Sequence, residues 1–303
     1  MMKTDRHIHS VPDTFSPGGS FACAGPSGTA VAPSAELPAD SVRRLAGLAE
    51  HYWDSFNWND ARWITEESAL EGAFMFWAGL LGRISETDAA RLSGALLHKV
   101  DSHPDIQLLL LDAAGYFWQH PGSMFRNEEL LIPMLETAIA APGIGDIHKA
   151  RLRARLASAL RNRPGTRAAD FTYTTGDGTR GTLQSFKAED TLVMFYTPGF
   201  PECGRIEKSI QRSEVFAPLI ASGRLKVLAI YPGEDAEAWR EHLPQMPAGW
   251  TAGHAPMEKD GTAAYDLPGI PALYLLDRDK TVLVRNRPVD VIEAWCAKHA
   301  DDR

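Results

Sequence analysis

Apolar positions recur at helical spacing through the first half of the chain and alternate at strand spacing through the second. From Asp40, the residues Val42, Leu45, Ala49 and Tyr52 repeat every three to four positions, with Asp40 or Ser41 available as an N-cap. The same repeat predicts helices over 66–83, 86–102, 104–119, 127–141 and 146–161. Ser85 followed by Asp88 has the form of a capping box, with Asp in place of Glu. Pro104 suits a first helical turn, where its missing N–H costs nothing. Residues 1–37 lack such periodicity, are rich in Ser, Pro, Gly and Ala, and read as a flexible tail. Beyond the linker 162–170, which contains Pro164 and Gly165, β patterning takes over. Phe171–Thr175 and Thr179–Leu183 flank Gly176-Asp177-Gly178, a hairpin signal. Then come a strand at 191–197, a helix at 203–221, a strand at 225–231 and a helix at 235–243. Strands at 272–277 and 281–285, joined by Arg278-Asp279-Lys280, and a helix at 289–299 close the order. It implies an α/β domain at 163–303, with a central mixed sheet and helices on both faces, after an all-α bundle at 38–162.

Composition narrows the function classes. The 303 residues suffice for two domains, and 44% hydrophobic residues suffice for sizeable cores. A net charge of −8 argues against nucleic-acid binding, which needs a clustered basic surface. The densest basic run, Arg151 to Arg167, is interleaved with Leu152, Leu156 and Leu160 and reads as the solvated face of a helix. Trp53, Phe56, Trp58, Trp63, Phe74, Phe76, Trp77, Tyr116, Phe117 and Trp118 concentrate in the helical half and read as bundle core before ligand groove. No apolar run reaches the ~20 residues of a membrane span. The first residues lack the apolar stretch of a secretory signal. The three cysteines, Cys23, Cys203 and Cys296, do not describe a disulfide scaffold, and the ten histidines show no zinc spacing. No metal or cofactor is expected.

The candidate chemistry lies in Thr191–Cys203, a strand, a turn and the start of a helix, with Phe200, Pro201, Glu202 and Cys203 at the junction. Gly269-Ile270-Pro271 stands directly before the strand 272–277, and a hairpin and a helix follow. On these features residues 165–299 resemble periplasmic thioredoxin-like proteins of the TlpA/ResA kind. Tyr52–Phe56 and Arg126–Leu130 resemble the helical domain of unknown function that precedes such modules in some bacterial envelope proteins. The resemblance implies a Cys-x-x-Cys site at Phe200–Cys203. It also implies a cis proline at Pro271, exposing the backbone of Ile270 to a bound peptide. A periplasmic or envelope-associated location follows from it too, with a cytoplasmic one left open by the missing signal.

Dithiol exchange needs an exposed nucleophile at the helix N-terminus and a resolving thiol one turn inside. Phe200 holds the first position, so the pattern is degenerate and Cys203 corresponds to the resolving thiol. Cys23 lies in the tail, and Cys296 reads as a small buried hydrophobe beside Trp295. Glu202 would oppose a Cys203 thiolate, whereas Arg205 and Lys208 would favour it. Four readings of Cys203 stand: a partly buried relict, a monothiol that forms mixed disulfides, a peroxide-reactive cysteine and a metal ligand. The leading expectation is a redox-degenerate protein that uses the surface of Phe200, Ile270 and Pro271 for a protein or peptide partner, or for interdomain packing. The alternative is a monothiol thiol–disulfide oxidoreductase acting through Cys203. A third places the main function, glycan or protein binding, in the helical bundle.

Overall fold

Helical spacing in the first half becomes α1 (Ala39–His51), α2 (Arg62–Thr65), α3 (Glu67–Leu81), α4 (Glu86–His98), α5 (Pro104–Gln119), α6 (Leu131–Ala140) and α7 (Asp146–Ala159). The structure is a computed structural model that describes residues 39–256, 262–265, 267 and 269–299. The predicted tail lies outside the described residues. Helix α1 already begins at Ala39, so Asp40 and Ser41 sit inside its first turn instead of capping it. Ser85 caps α4: its Oγ accepts from the Asp88 amide at 3.0 Å and donates to Asp88 Oδ2 at 2.7 Å. Pro104 opens α5, which buries Ile106, Leu110, Leu111, Ala114, Phe117 and Trp118 along one stripe. The predicted helix at 127–141 starts as a tighter turn, Glu128–Leu130, before α6.

Trp53, Phe74, Trp77 and Trp118 fill the helical core, with the Phe74 and Trp118 ring centres 5.1 Å apart. Burying a ring such as Phe74 stabilises by roughly 1.5–3 kcal/mol over leaving it in water. Phe76 and Tyr116 depart from the core reading and are each 59% exposed.

The second half forms a seven-stranded sheet in the order β2-β1-β5-β4-β3-β6-β7. Its strands are β1 (Thr172–Thr175), β2 (Arg180–Thr182), β3 (Asp190–Phe195), β4 (Leu225–Tyr231), β5 (Thr251–His254), β6 (Ala272–Leu276) and β7 (Val282–Arg285). Central β3 runs parallel to β4 and antiparallel to β6. Its alternation divides the core between the two faces. Leu192 and Met194 meet Ile206, Ile292, Cys203 and Cys296, whereas Val193 and Phe195 meet Phe171, Tyr265 and Tyr274. Helices α8 (Pro201–Arg212), α9 (Phe216–Ala221), α10 (Ala236–His242) and α11 (Val289–Lys298) complete the domain.

In the sheet domain two elements differ from the sequence pattern. The single helix predicted at 203–221 is broken at Ser213, whose Oγ accepts from the amides of Val215 and Phe216 at 3.1 and 2.8 Å. Strand β5 carries no apolar alternation in Thr251-Ala-Gly-His254. It fits because a Cβ at Gly253 would stand 2.8 Å from both Ile230 and Tyr173.

The linker is stitched to β7. Gly165 N–H donates to Val282 O, Val282 N–H to Thr166 O and Ala168 N–H to Lys280 O, each at 2.8 Å. The helical region and the sheet domain therefore pack into one compact unit. Among the described residues no helix is long and apolar enough to cross a membrane.

Candidate functional site

Strand β3 delivers the chain to the junction. Tyr196 is wholly buried, and Gly199 turns the backbone at φ 72°, a region that favours glycine. Phe200 is the N-cap of α8 and Pro201 its first helical residue. A benzyl ring accepts no hydrogen bond from the first-turn amides, so Phe200 neither caps nor attacks. It is 45% exposed, whereas Cys203 is 2% exposed and a free thiol.

Burial pushes the Cys203 thiol up to about 11, the Thr197 amide opposes this, and Glu207 and Glu202 push it further up. Roughly one molecule in ten thousand would then hold a thiolate at pH 7. Cys203 is the third residue of α8, where the helix dipole favours negative charge, yet removal from water outweighs the dipole. Glu202 is ion-paired with Arg205.

Beside the thiol opens a cleft of ≈ 440 Å³ whose wall includes Phe200, Cys203, Glu207, Lys208 and His242. Burial raises the Glu207 carboxyl, with Lys208 opposing, and burial lowers His242, which favours a neutral imidazole. The Tyr196 hydroxyl lies near Cys203 and Glu207, and burial raises its pKa as well. The cleft thus combines an exposed ring, three groups shifted towards their uncharged forms (Cys203, Glu207 and His242) and the cations Arg205 and Lys208.

The Ile270–Pro271 peptide is cis. Ile270 is half-buried against the core cluster that contains Cys203, and Pro271 is buried. The Pro271 carbonyl accepts from Arg126 Nη1 of the helical region at 3.1 Å. Arg126 also donates to Pro121 O at 3.2 Å and to Arg287 O at 3.0 Å. Pro121 lies so close to Gly269 that a Cβ there would stand 2.1 Å from its Cγ. Next to Arg126, Glu128 accepts from Arg285 Nη2 at 2.7 Å and from Asn286 Nδ2 at 2.6 Å.

The cleft therefore gathers Phe200, Pro201 and Cys203, while Ile270 and Pro271 lie outside its lining. Arg126 and Glu128 belong to the Arg126–Leu130 segment, but nothing in the sequence marks the carbonyl and guanidinium they meet far along the chain. Among the described residues no cluster of three His, Cys, Asp or Glu side chains is placed to hold a metal ion.

Comparison with known proteins fits this architecture. A family described as Domain of unknown function (DUF5106) matches residues 10–162. A crystal structure of a thioredoxin-like protein from Bacteroides caccae is 30% identical, covering 90% of this chain and 100% of that one, with a TM-score of 0.76. This chain belongs to the thioredoxin-like proteins, with DUF5106 as its N-terminal domain. The sheet domain of this thioredoxin-like protein is also similar to the C-terminal domain of an uncharacterized protein from Bacteroides fragilis. That match has 39% identity over 45% of this chain and 98% of the other, with a TM-score of 0.43. The thioredoxin domain of a thiol-disulfide oxidoreductase from Bacteroides vulgatus is 18% identical over 44% of this chain and 98% of its own, with a TM-score of 0.39. No curated protein gives a match.

Proposed function

We propose that this thioredoxin-like protein is redox-degenerate and uses its former active-site face for binding and interdomain packing instead of dithiol exchange. One observation carries the reading: Cys203 is buried and held neutral while Phe200 stands in the nucleophile's place. The face then divides by use. On the proline side, Arg126 occupies the Pro271 carbonyl and so ties the helical region to the strand edge where a peptide would pair. On the other side the cleft beside Phe200 stays open, and its exposed ring, rimmed by Arg205, Glu207 and Lys208, suits an apolar side chain flanked by polar groups on a protein or peptide partner. The resemblance to envelope thioredoxin-like proteins supports an envelope location, which fractionation of the source cells tests.

The expected outcome is no acceleration of insulin reduction by dithiothreitol. In the folded protein, mass-spectrometric mapping should find alkylation of Cys203 by iodoacetamide at pH 7.5 at least ~10-fold slower than in denaturant. The native rate should keep rising through pH 10 instead of levelling off near 8. The monothiol alternative has one supporting observation: Cys203 contributes to the cleft wall. Insulin turnover abolished by Cys203→Ser, or a labelling plateau below pH 8, would overturn the degenerate reading in favour of that alternative.

A further inference from the structure

A second cleft, also of ≈ 440 Å³, opens at the end of the sheet remote from Cys203, where β3 begins and the β6–β7 hairpin turns. Four of its lining residues are cations, Arg167, Lys187, Arg278 and Lys280, against one carboxylate, Asp279. In a chain of net charge −8 this is a local reversal of sign. We propose that this cleft binds a small polyanion, a molecule carrying two or more phosphate or carboxylate groups.

Three features make it a prepared site and not a scatter of solvated side chains. First, Arg167 is oriented by a neutral group. Its Nε and Nη2 both donate to Gln184 Oε1, at 3.0 and 2.6 Å, and Gln184 is itself held through Ala168 O and Asp170 Oδ1, each at 3.0 Å. An amide fixes the guanidinium without cancelling its charge, so the cost of ordering it is met before a ligand arrives. Second, Lys280 is 2% exposed, and its ammonium donates to Thr191 Oγ1 at 3.1 Å. Burial disfavours the Lys280 charge while Asp277, Asp190 and the adjacent Asp279 favour it; Asp277 directs Oδ1 to the turn amides of Asp279 and Thr281, at 2.9 and 2.7 Å. Third, the walls are tied together. Arg167 bridges to Thr281, and Ala168 N–H donates to Lys280 O at 2.8 Å.

Concave sites of this size hold small molecules. Charges converging from a loop, a turn and a strand edge call for an anion with more than one charged group. The inference does not depend on the state of Cys203.

The test is isothermal titration calorimetry of the full chain at low salt, with pyrophosphate and citrate as probes and acetate at matched ionic strength as control. Saturable binding of either probe with Kd at or below about 1 mM is expected, with none for acetate. Preference between the two probes separates phosphate from carboxylate recognition. The double variant Lys187→Ala/Arg278→Ala changes only exposed side chains and should weaken binding at least ~10-fold, since two charge-assisted contacts are removed. Arg151→Ala/Arg153→Ala, which removes two exposed cations of α7, should leave it unchanged. Heats that do not saturate, or equal weakening in the two double variants, would overturn the proposal.

Discussion

Glu207 stands one helical turn beyond Cys203, and both answer to the same cause, removal from water beside an aromatic wall. For Glu207 the consequence is a pH-dependent stability. Its raised folded pKa means that the native state holds the proton more tightly than the unfolded chain. That stabilising contribution is fully present below the unfolded pKa of about 4.3 and is lost as pH rises through the folded value. At pH 7 the ionised carboxylate therefore opposes folding. Glu207→Gln is expected to raise stability at pH 7 by a few tenths to about 1 kcal/mol, a modest value because solvent and Lys208 screen a half-buried group. Urea unfolding at pH 7 and pH 4 checks this: the gain should vanish at pH 4. Destabilisation at both pH values would reveal a favourable contact of the carboxylate. Phe200 at the strand–helix junction was legible in the sequence because residue type is read directly there. The burial of Cys203 was harder to see, since it depends on packing by Ile206, Ile292 and Cys296 from two separate helices.

Elements meet at the seam between the helical region and the β7–α11 turn. Glu128 and Arg285 form an ion pair with both side chains only 2% exposed, and Asn286 takes the second carboxylate oxygen. Removing one member of such a pair leaves the other charge buried without its partner. Glu128→Gln is expected to destabilise by about 3 kcal/mol, and pairing it with Arg285→Met should restore a substantial part. A double-mutant cycle on unfolding midpoints measures the coupling, and strictly additive effects would show that the pair is not what links these elements. Interdomain packing at Pro271 was among the expectations from sequence, but the residues of this seam were not, because Arg126 and the carbonyl it binds lie 145 residues apart and a carbonyl leaves no mark in a sequence. Strands β3, β4 and β6 were legible for the opposite reason. Covered on both faces, they appear as continuous apolar runs such as Leu192–Tyr196 and Ala272–Leu276. Strand β5 escaped because Gly253 is selected by the close approach of Ile230 and Tyr173, a tertiary demand. The Ser213 break escaped because its hydroxyl does the capping while the flanking apolar spacing still looks helical.

At the scale of the whole molecule, the seam and the stitched linker make the helical region and the sheet domain parts of one folding unit. The contacts that cross between them include Arg126 on the Pro271 and Arg287 carbonyls, Glu128 with Arg285 and Asn286, Arg285 on the Ala159 carbonyl, Glu86 with Arg287, and Pro121 against Gly269. Alongside them, the linker pairs with Val282 of β7 at Gly165 and Thr166 and with Lys280 at Ala168. Unfolding either region alone would leave buried guanidinium, carboxylate and carbonyl groups of the other without partners, at a cost of about 1–3 kcal/mol for each neutral group and more for each charge. The intact chain is therefore expected to unfold in one transition. Far-ultraviolet circular dichroism, dominated by the helices, and pulse labelling of Cys203 in the sheet domain should report the same denaturant midpoint. In Arg126→Met/Glu128→Gln the seam loses its two buried charged anchors from the helical side, leaving the exposed Glu86 on Arg287. The two midpoints should then separate, with the weaker region melting first while the other persists. If they already differ in the unaltered chain, the seam does not couple the two regions, and the case for Arg126 as the tie to the Pro271 edge fails with it.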